Sequence, residues 1–252
     1  MGKKYFTISY DDGLEQDEKL IALMKQYGIR GTFNLSGGLF GKRSYIRRIG
    51  DMGMDAESDR KGKCVSHFIL PKKRAAEIYR DVEVASHGKH HLNETKLDDA
   101  RLREEIEEDA AILSDMFNKP VRGHIVPYGA VNTKVCSVMA GAGLTYGRMA
   151  TMMKKPADFK AHIQDGMIVP TCWHLDRFAV PYLEKFISEP APEDEDLVFY
   201  MWGHGYELDY GTKRGNWEYI ERVFRMANDA EDVIKVTNGE LVEMGIYPTL
   251  SL

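Results

Sequence analysis

The apolar positions along the chain alternate between two periods. Short runs rich in β-branched and aromatic residues ("YFTISY", "GTFNLS", "DVEVASH", "LVFYMW") read as buried strands. Between them the apolar residues return every three to four positions, as on a helix face. Leu20, Leu23, Met24 and Tyr27 mark a helix after Gly13, and Gly28 makes a natural stop. The clearest helix is predicted over residues 98–118. Leu102, Ile106, Ala110, Leu113 and Phe117 form its apolar stripe, and its acids crowd the first half, where the helix dipole favours them. "VRGHIVPYG", "LTYGRM" and "MIVPT" read as further strands, residues 216–229 as a late helix, and "DVIKVT" as a short last strand. Strands separated by helices predict a mainly parallel α/β sheet, and about seven repeats of the unit predict closure into a barrel. No internal repeat or linker divides the chain, so residues 1–252 read as one domain with a polar excursion at 50–67.

Composition narrows the function. The chain is 43% hydrophobic and 10% aromatic, enough for a substantial core and against disorder. Its net charge is −5, and its densest basic patch, "GKRSYIRR", is short and interleaved with apolar residues, so nucleic acid is a poor partner. No apolar run approaches the ~18 residues of a membrane helix. The N-terminus enters a strand almost at once without a signal-peptide apolar region, so the protein is expected in the cytoplasm unless a leader was removed. The three cysteines, Cys64, Cys136 and Cys172, are widely spaced and suggest a reducing compartment without a disulfide framework.

In a barrel of this kind the reactive groups gather where the strands end. Four predicted strands end in groups capable of chemistry: Asp11-Asp12, "HGKHH" (residues 87–91), "PYG" (127–129) and "GHG" (203–205). His87 and His91 are spaced i, i+4, so one helical turn would aim both imidazoles at a single ion. A carboxylate would complete a site for zinc or another divalent metal, with positions left open for water. His90 lies between them and is expected to point away. Two adjacent aspartates make acceptable turn chemistry, but at a buried strand end their repulsion is costly. A cation resolves this: one aspartate holds the metal, and the other serves as base towards water on it.

"SYDDG", "SHGKHH", "PYG" and "WGH", in this order and spacing, resemble the motifs of the polysaccharide deacetylases of carbohydrate esterase family 4, the NodB-homology domain. The resemblance runs from about Tyr5 to beyond His204. It implies a distorted (β/α)7 barrel and a divalent metal, usually zinc. It also implies removal of acetyl groups from N- or O-acetylated carbohydrate by attack of a metal-bound water. By the same resemblance Asp11 matches the catalytic base, and Asp12, His87 and His91 match the metal ligands. Tyr128 matches the residue whose backbone N–H joins the oxyanion hole, and His204 matches the general acid.

The chain departs from that pattern in two places. The arginine that orients the base usually stands three residues before the tyrosine, where this chain has Ile125. Arg122 should lie at the far end of its strand, whereas Arg148 should emerge on the rim and is the candidate replacement; the alternative for Arg148 is a loop cap or surface pair. The acidic-aromatic stretch that buttresses the acid histidine has no clean match. "PTCWHLD" (170–176) is the candidate, with Trp173 and Trp202 either sugar platforms or core, and His174 or Asp176 either touching substrate or structural. Two other functions stay open: a carbohydrate-binding protein that has lost catalysis, and a hydrolase of another non-peptide C–N bond.

Overall fold

The computed structural model describes residues 2–47, 64–150 and 158–250. Its strands, in chain order, are β1 (Lys4–Asp11), β2 (Gly31–Leu35), β3 (Arg43–Arg47), β4 (Cys64–Phe68), β5 (Glu83–Ser86) and β6 (Gly123–Ile125). β7 (Tyr146–Arg148), β8 (Ile163–Gln164), β9 (Met167–Ile168), β10 (Cys172–Trp173), β11 (Leu197–His204) and β12 (Val233–Lys235) follow. The main sheet runs in the order β10-β11-β1-β2-β5-β6-β7-β9-β8, with β12 beside β1. All its described pairings are parallel except β8 with β9. The fold is therefore the expected α/β barrel, distorted and incompletely closed: no pairing among the described residues joins β10 to the β8–β9 end.

Alternation along the two longest strands positions the chemistry. Successive side chains on a strand point to opposite faces. On β1, Phe6, Ile8 and Tyr10 pack outward with Phe199 and Met201 of β11 and with the helix Asp17–Gln26. Tyr5 packs instead in the barrel interior with Val198, Tyr200 and Ile125. The residues in phase with Tyr5 become polar towards the strand end: Thr7, Ser9 and Asp11 are all buried. Each finds a partner, as buried polar groups must. Thr7 Oγ1 donates to Asn238 Oδ1 at 2.9 Å, and Asn34 Nδ2 donates to Ser9 Oγ at 2.8 Å and to Asp11 Oδ1 at 2.7 Å. β11 alternates likewise, and its register sets His204 opposite Asp11.

The predicted long helix forms as Asp99–Arg103, a π-helical turn at Glu104–Glu108, and Asp109–Phe117. Asp98 caps its start by accepting from Arg101 N, and Asn118 ends it with φ 51°. The π turn, invisible in the apolar periodicity, frees a carbonyl. Glu105 O accepts from Lys89 N at 3.0 Å, tying the helix to the loop after β5. Of the polar excursion at 50–67, residues 64–67 lie in β4 and the rest fall outside the described residues. β3 and β4 form an antiparallel pair apart from the main sheet, pairing Ser44 with His67.

Candidate active site

A cleft of about 550 Å³ opens at the ends of these strands, and its lining includes Asp11, Asp12, His87, His91, Tyr128, Arg148 and His204. Adjacent residues of one strand cannot face the same space, so Asp11 and Asp12 share the cleft only because the chain leaves β1 between them. Asp12 has φ 79°. His91 and Tyr128, also at the cleft, have φ 54° and 61°. Such conformations cost non-glycine residues about 1–3 kcal/mol and cluster where geometry serves function.

His87 and His91 do converge, but not on the helical turn their spacing suggests. The loop after β5 makes a tight turn in which His91 N donates to Gly88 O at 3.2 Å. Gly88 adopts φ 74°, and a Cβ there would meet Glu94 Oε1 at 3.1 Å. The helix is refused because the helix of residues 99–117 takes the intervening backbone donors. Lys89 N goes to Glu105 O, and His90 N to Glu105 Oε2 at 2.8 Å. His90 lines the cleft but stays out of the group formed by Asp12, His87 and His91, its Nδ1 2.6 Å from Glu105 Oε1.

Asp12, His87 and His91 each bring one ligand atom into a group spanning no more than 4.8 Å. Asp12 Oδ1 lies 3.7 Å from the Nε2 of both histidines. Ligand atoms about 2.1 Å from a shared tetrahedral ion stand roughly 3.4 Å apart, so the spacing fits a divalent cation. The protonation states fit as well. His87 Nδ1 donates to Ile125 O at 2.7 Å, leaving the Nε2 lone pair towards Asp12. Burial, the largest influence, pulls the His87 pKa down to about 4, so the ring is neutral near pH 7. Burial would raise Asp12, but the hydrogen bond from His67 and the nearby positive charge of His204 outweigh it and keep the carboxyl well below the usual carboxylate range.

Asp11 Oδ1 is occupied by Asn34 and by the guanidinium of Arg148. Its Oδ2 faces the cleft, 3.9 Å from His204 Nε2 and 4.0 Å from His87 Nε2. Burial favours the neutral acid, but Arg148 and His204 outweigh it and hold the pKa below the usual carboxylate value. Arg148 is fully buried, stacked over Trp202 at 4.8 Å, and donates to Met149 O at 3.2 Å. It is the direct lateral neighbour of Ile125 across the β6–β7 pairing, so the guanidinium arrives from one strand over. Arg122 lies outside the cleft lining.

The support of His204 comes from a residue the motifs do not single out. Glu207 accepts from His204 N at 2.9 Å through Oε2 and lies 3.1 Å from His204 Nδ1 through Oε1. Trp173 Nε1 donates to Glu207 Oε2 at 2.9 Å, and His174 Nε2 stands 3.1 Å from the same oxygen. His174 Nδ1 meets Tyr10 OH at 2.8 Å. The "PTCWHLD" segment therefore supports His204 through Glu207, with Trp173 and His174 both turned to that carboxylate. His174 is fully buried with both ring nitrogens turned to protein groups, and neither it nor Trp173 is among the residues lining the cleft, unlike Trp202. Gly203 lacks a side chain for the same reason, since a Cβ there would meet His174 Nδ1 at 2.3 Å. Asp176 accepts from Phe178 N at 2.9 Å, a local turn contact. Trp202 does line the cleft, though it is only 8% exposed. The one sequence signal for Glu207 is its spacing three residues after His204, which allows a capping box with the histidine.

Burial would lower the His204 pKa, but Glu207, followed by Asp12 and Asp11, raises it to about 10. The protonated form is present below that value and is lost above it. Glu207→Gln is expected to move the alkaline limb of the pH–rate profile for kcat/KM to lower pH while leaving the acid limb in place. An alkaline limb that stays fixed would remove Glu207 from control of this proton.

The polysaccharide deacetylase family model matches residues 1–147, more than half of the 252-residue chain. The chain belongs to this family. Its fold is similar to the family 4 carbohydrate esterase from Streptomyces lividans in complex with acetate, at 14% identity and TM-score 0.54, covering 93% of each chain. It is also similar to BA3943, a family 4 pseudoenzyme from Bacillus anthracis, at 14% identity and TM-score 0.55, covering 95% of this chain and 66% of that one. The likeness to the Streptococcus pyogenes deacetylase PplD in complex with acetate is partial, at 16% identity and TM-score 0.44, over 57% of this chain and 55% of that one. None of the curated proteins matches the chain.

Proposed function

We propose that the protein is a metal-dependent hydrolase that removes acetyl groups from N- or O-acetylated oligo- or polysaccharide. The observation that carries this reading is the placement of Asp12, His87 and His91 around one point, beside Asp11 Oδ2 and His204 Nε2, in one cleft. The three ligands fit a divalent ion, with Zn²⁺ the best match to two imidazoles and a carboxylate. When bound, such an ion acidifies water and polarises the acetyl carbonyl.

The chain's own groups supply the remaining chemistry. Asp11 Oδ2 takes the proton of the attacking water, while Arg148 and Asn34 fix the carboxylate through Oδ1. The backbone N–H of Tyr128 is the donor assigned to the oxyanion. His204, held through Nδ1 by Glu207, gives its Nε2 proton to the departing amine or alkoxide. The Tyr128 ring is 67% exposed at the rim and meets His91 edge-on at 4.8 Å, giving a sugar a flat apolar surface beside the ligands. Among the described residues no helix is long and apolar enough to cross a membrane. The cysteines are free thiols, which favours a reducing, cytoplasmic location.

The loss-of-catalysis alternative rests on Ile125, and the Arg148–Asp11 pair speaks against it. The test is acetate release from acetylated oligosaccharides by metal-stripped and zinc-restored protein. Release that needs no metal, or no release from any acetylated sugar, would overturn the reading. Arg148→Ala is expected to lower turnover at least about tenfold with metal content intact, because Asp11 loses its bidentate-capable cation. Breaking a buried pair costs about 3–5 kcal/mol, so the assay belongs below the variant's melting temperature. Arg122→Ala should change turnover little. Wild-type turnover in Arg148→Ala would leave the Ile125 departure unexplained.

A further inference from the structure

His67 lies on β4, far in sequence from every residue with an assigned role, yet its Nε2 stands 2.8 Å from Asp12 Oδ2. The contact is built from the backbone up. The β3–β4 pair is fastened to the segment that follows Asp12: Leu70 N donates to Gly13 O at 2.9 Å, and Glu15 N to Phe68 O at 2.9 Å. Leu14 bridges Ile69, and Gln16 Nε2 reaches Ser66 O at 3.3 Å. The strand carrying His67 is thus in register with the turn carrying Asp12.

The ring itself is held on two sides. Ser44, its cross-strand partner, brings Oγ to 3.2 Å from Nδ1, and the Tyr206 ring packs edge-on at 5.3 Å. A carboxylate oxygen can only accept, so Nε2 carries the proton and donates to Asp12 whichever way Ser44 turns its hydroxyl. The two oxygens of Asp12 then have separate tasks. Oδ2 is taken by His67, and Oδ1 is the oxygen 3.7 Å from both His87 Nε2 and His91 Nε2.

We propose that His67 is a positioning residue for the cation site: by donating to Asp12 Oδ2 it leaves Oδ1 alone to coordinate and fixes the carboxylate's orientation before the ion arrives. The proposal rests on the metal reading of Asp12, His87 and His91. Hydrogen-bond partners of ligating groups typically contribute about 10–100-fold in metal affinity. With Asp12 confined to one ligating oxygen, the site has room for water and a substrate carbonyl.

Two substitutions separate positioning from packing. His67→Phe keeps a ring against Tyr206 without a donor, whereas His67→Gln keeps an N–H donor without the ring. Zinc dissociation constants measured on the full chain by chelator competition, together with melting temperatures of the metal-free proteins, give the readout. His67→Phe is expected to bind zinc about 10–100-fold more weakly, with His67→Gln recovering most of that loss. Cobalt-substituted His67→Phe should also change its visible absorption, reporting a second Asp12 oxygen entering the coordination shell. Wild-type zinc affinity in His67→Phe, or equal loss in both variants with lowered metal-free melting temperatures, would overturn the proposal. Wild-type protein that bound no zinc would instead remove the metal reading, and this proposal with it.

Discussion

Replacing His87 by alanine is expected to strip the protein of its divalent ion and of deacetylation together, whereas His90→Ala keeps both. The contrast is sharp because the two rings sit three residues apart in one loop. His87 is buried, its Nδ1 is committed to Ile125 O, and its Nε2 faces Asp12. No neighbouring group can take over that ligand atom without remaking the turn. The loss of zinc affinity should therefore exceed the roughly 100-fold upper end for supporting partners. His90 is tied to Glu105 through both its backbone N and its ring, so its removal costs local loop stability but no ligand. Bound metal per chain, measured on purified variants, checks this directly. Metal lost from His90→Ala but kept in His87→Ala would reverse the assignment.

The second large effect is a rate loss without a metal loss. Asp11→Asn should keep the ion and lose about 10²–10⁴ in kcat, the usual contribution of a positioned base. Asp12→Asn should first weaken metal binding. The geometry separates the two because Asp11 Oδ2 faces His204, while Asp12 Oδ1 lies 3.7 Å from the Nε2 of both His87 and His91. In the Asp11→Asn variant the new amide can still accept from Arg148 and Asn34 through its carbonyl oxygen, so the barrel interior stays paired. Added zinc should rescue Asp12→Asn and leave Asp11→Asn slow. Equal metal loss in both would end the division of labour between the aspartates.

The class of fold and the polar residues that the strand ends bring to the cleft are legible in the order of residues alone. The buried runs "YFTISYDD" and "LVFYMWGH" require strands, and their polar ends mark the rim, because a parallel strand that meets solvent only at its end can carry charge only there. Asp11, Asp12, His87, His91, Tyr128 and His204 are readable for that reason, and Arg148 from its place at the next strand end. Other features depend on packing that local spacing cannot encode. Asp12 reaches the same cleft as Asp11 only through a positive φ, and His87 meets His91 across a turn that a π-helical Glu105 holds open. Glu207, not the "WHLD" segment itself, grips His204, and His67 reaches Asp12 from a hairpin whose contact no period in the sequence announces. These contacts join residues far apart in the chain or depend on single backbone torsions. Periodicity reports which face of an element a residue occupies; only the packed barrel decides which two faces meet.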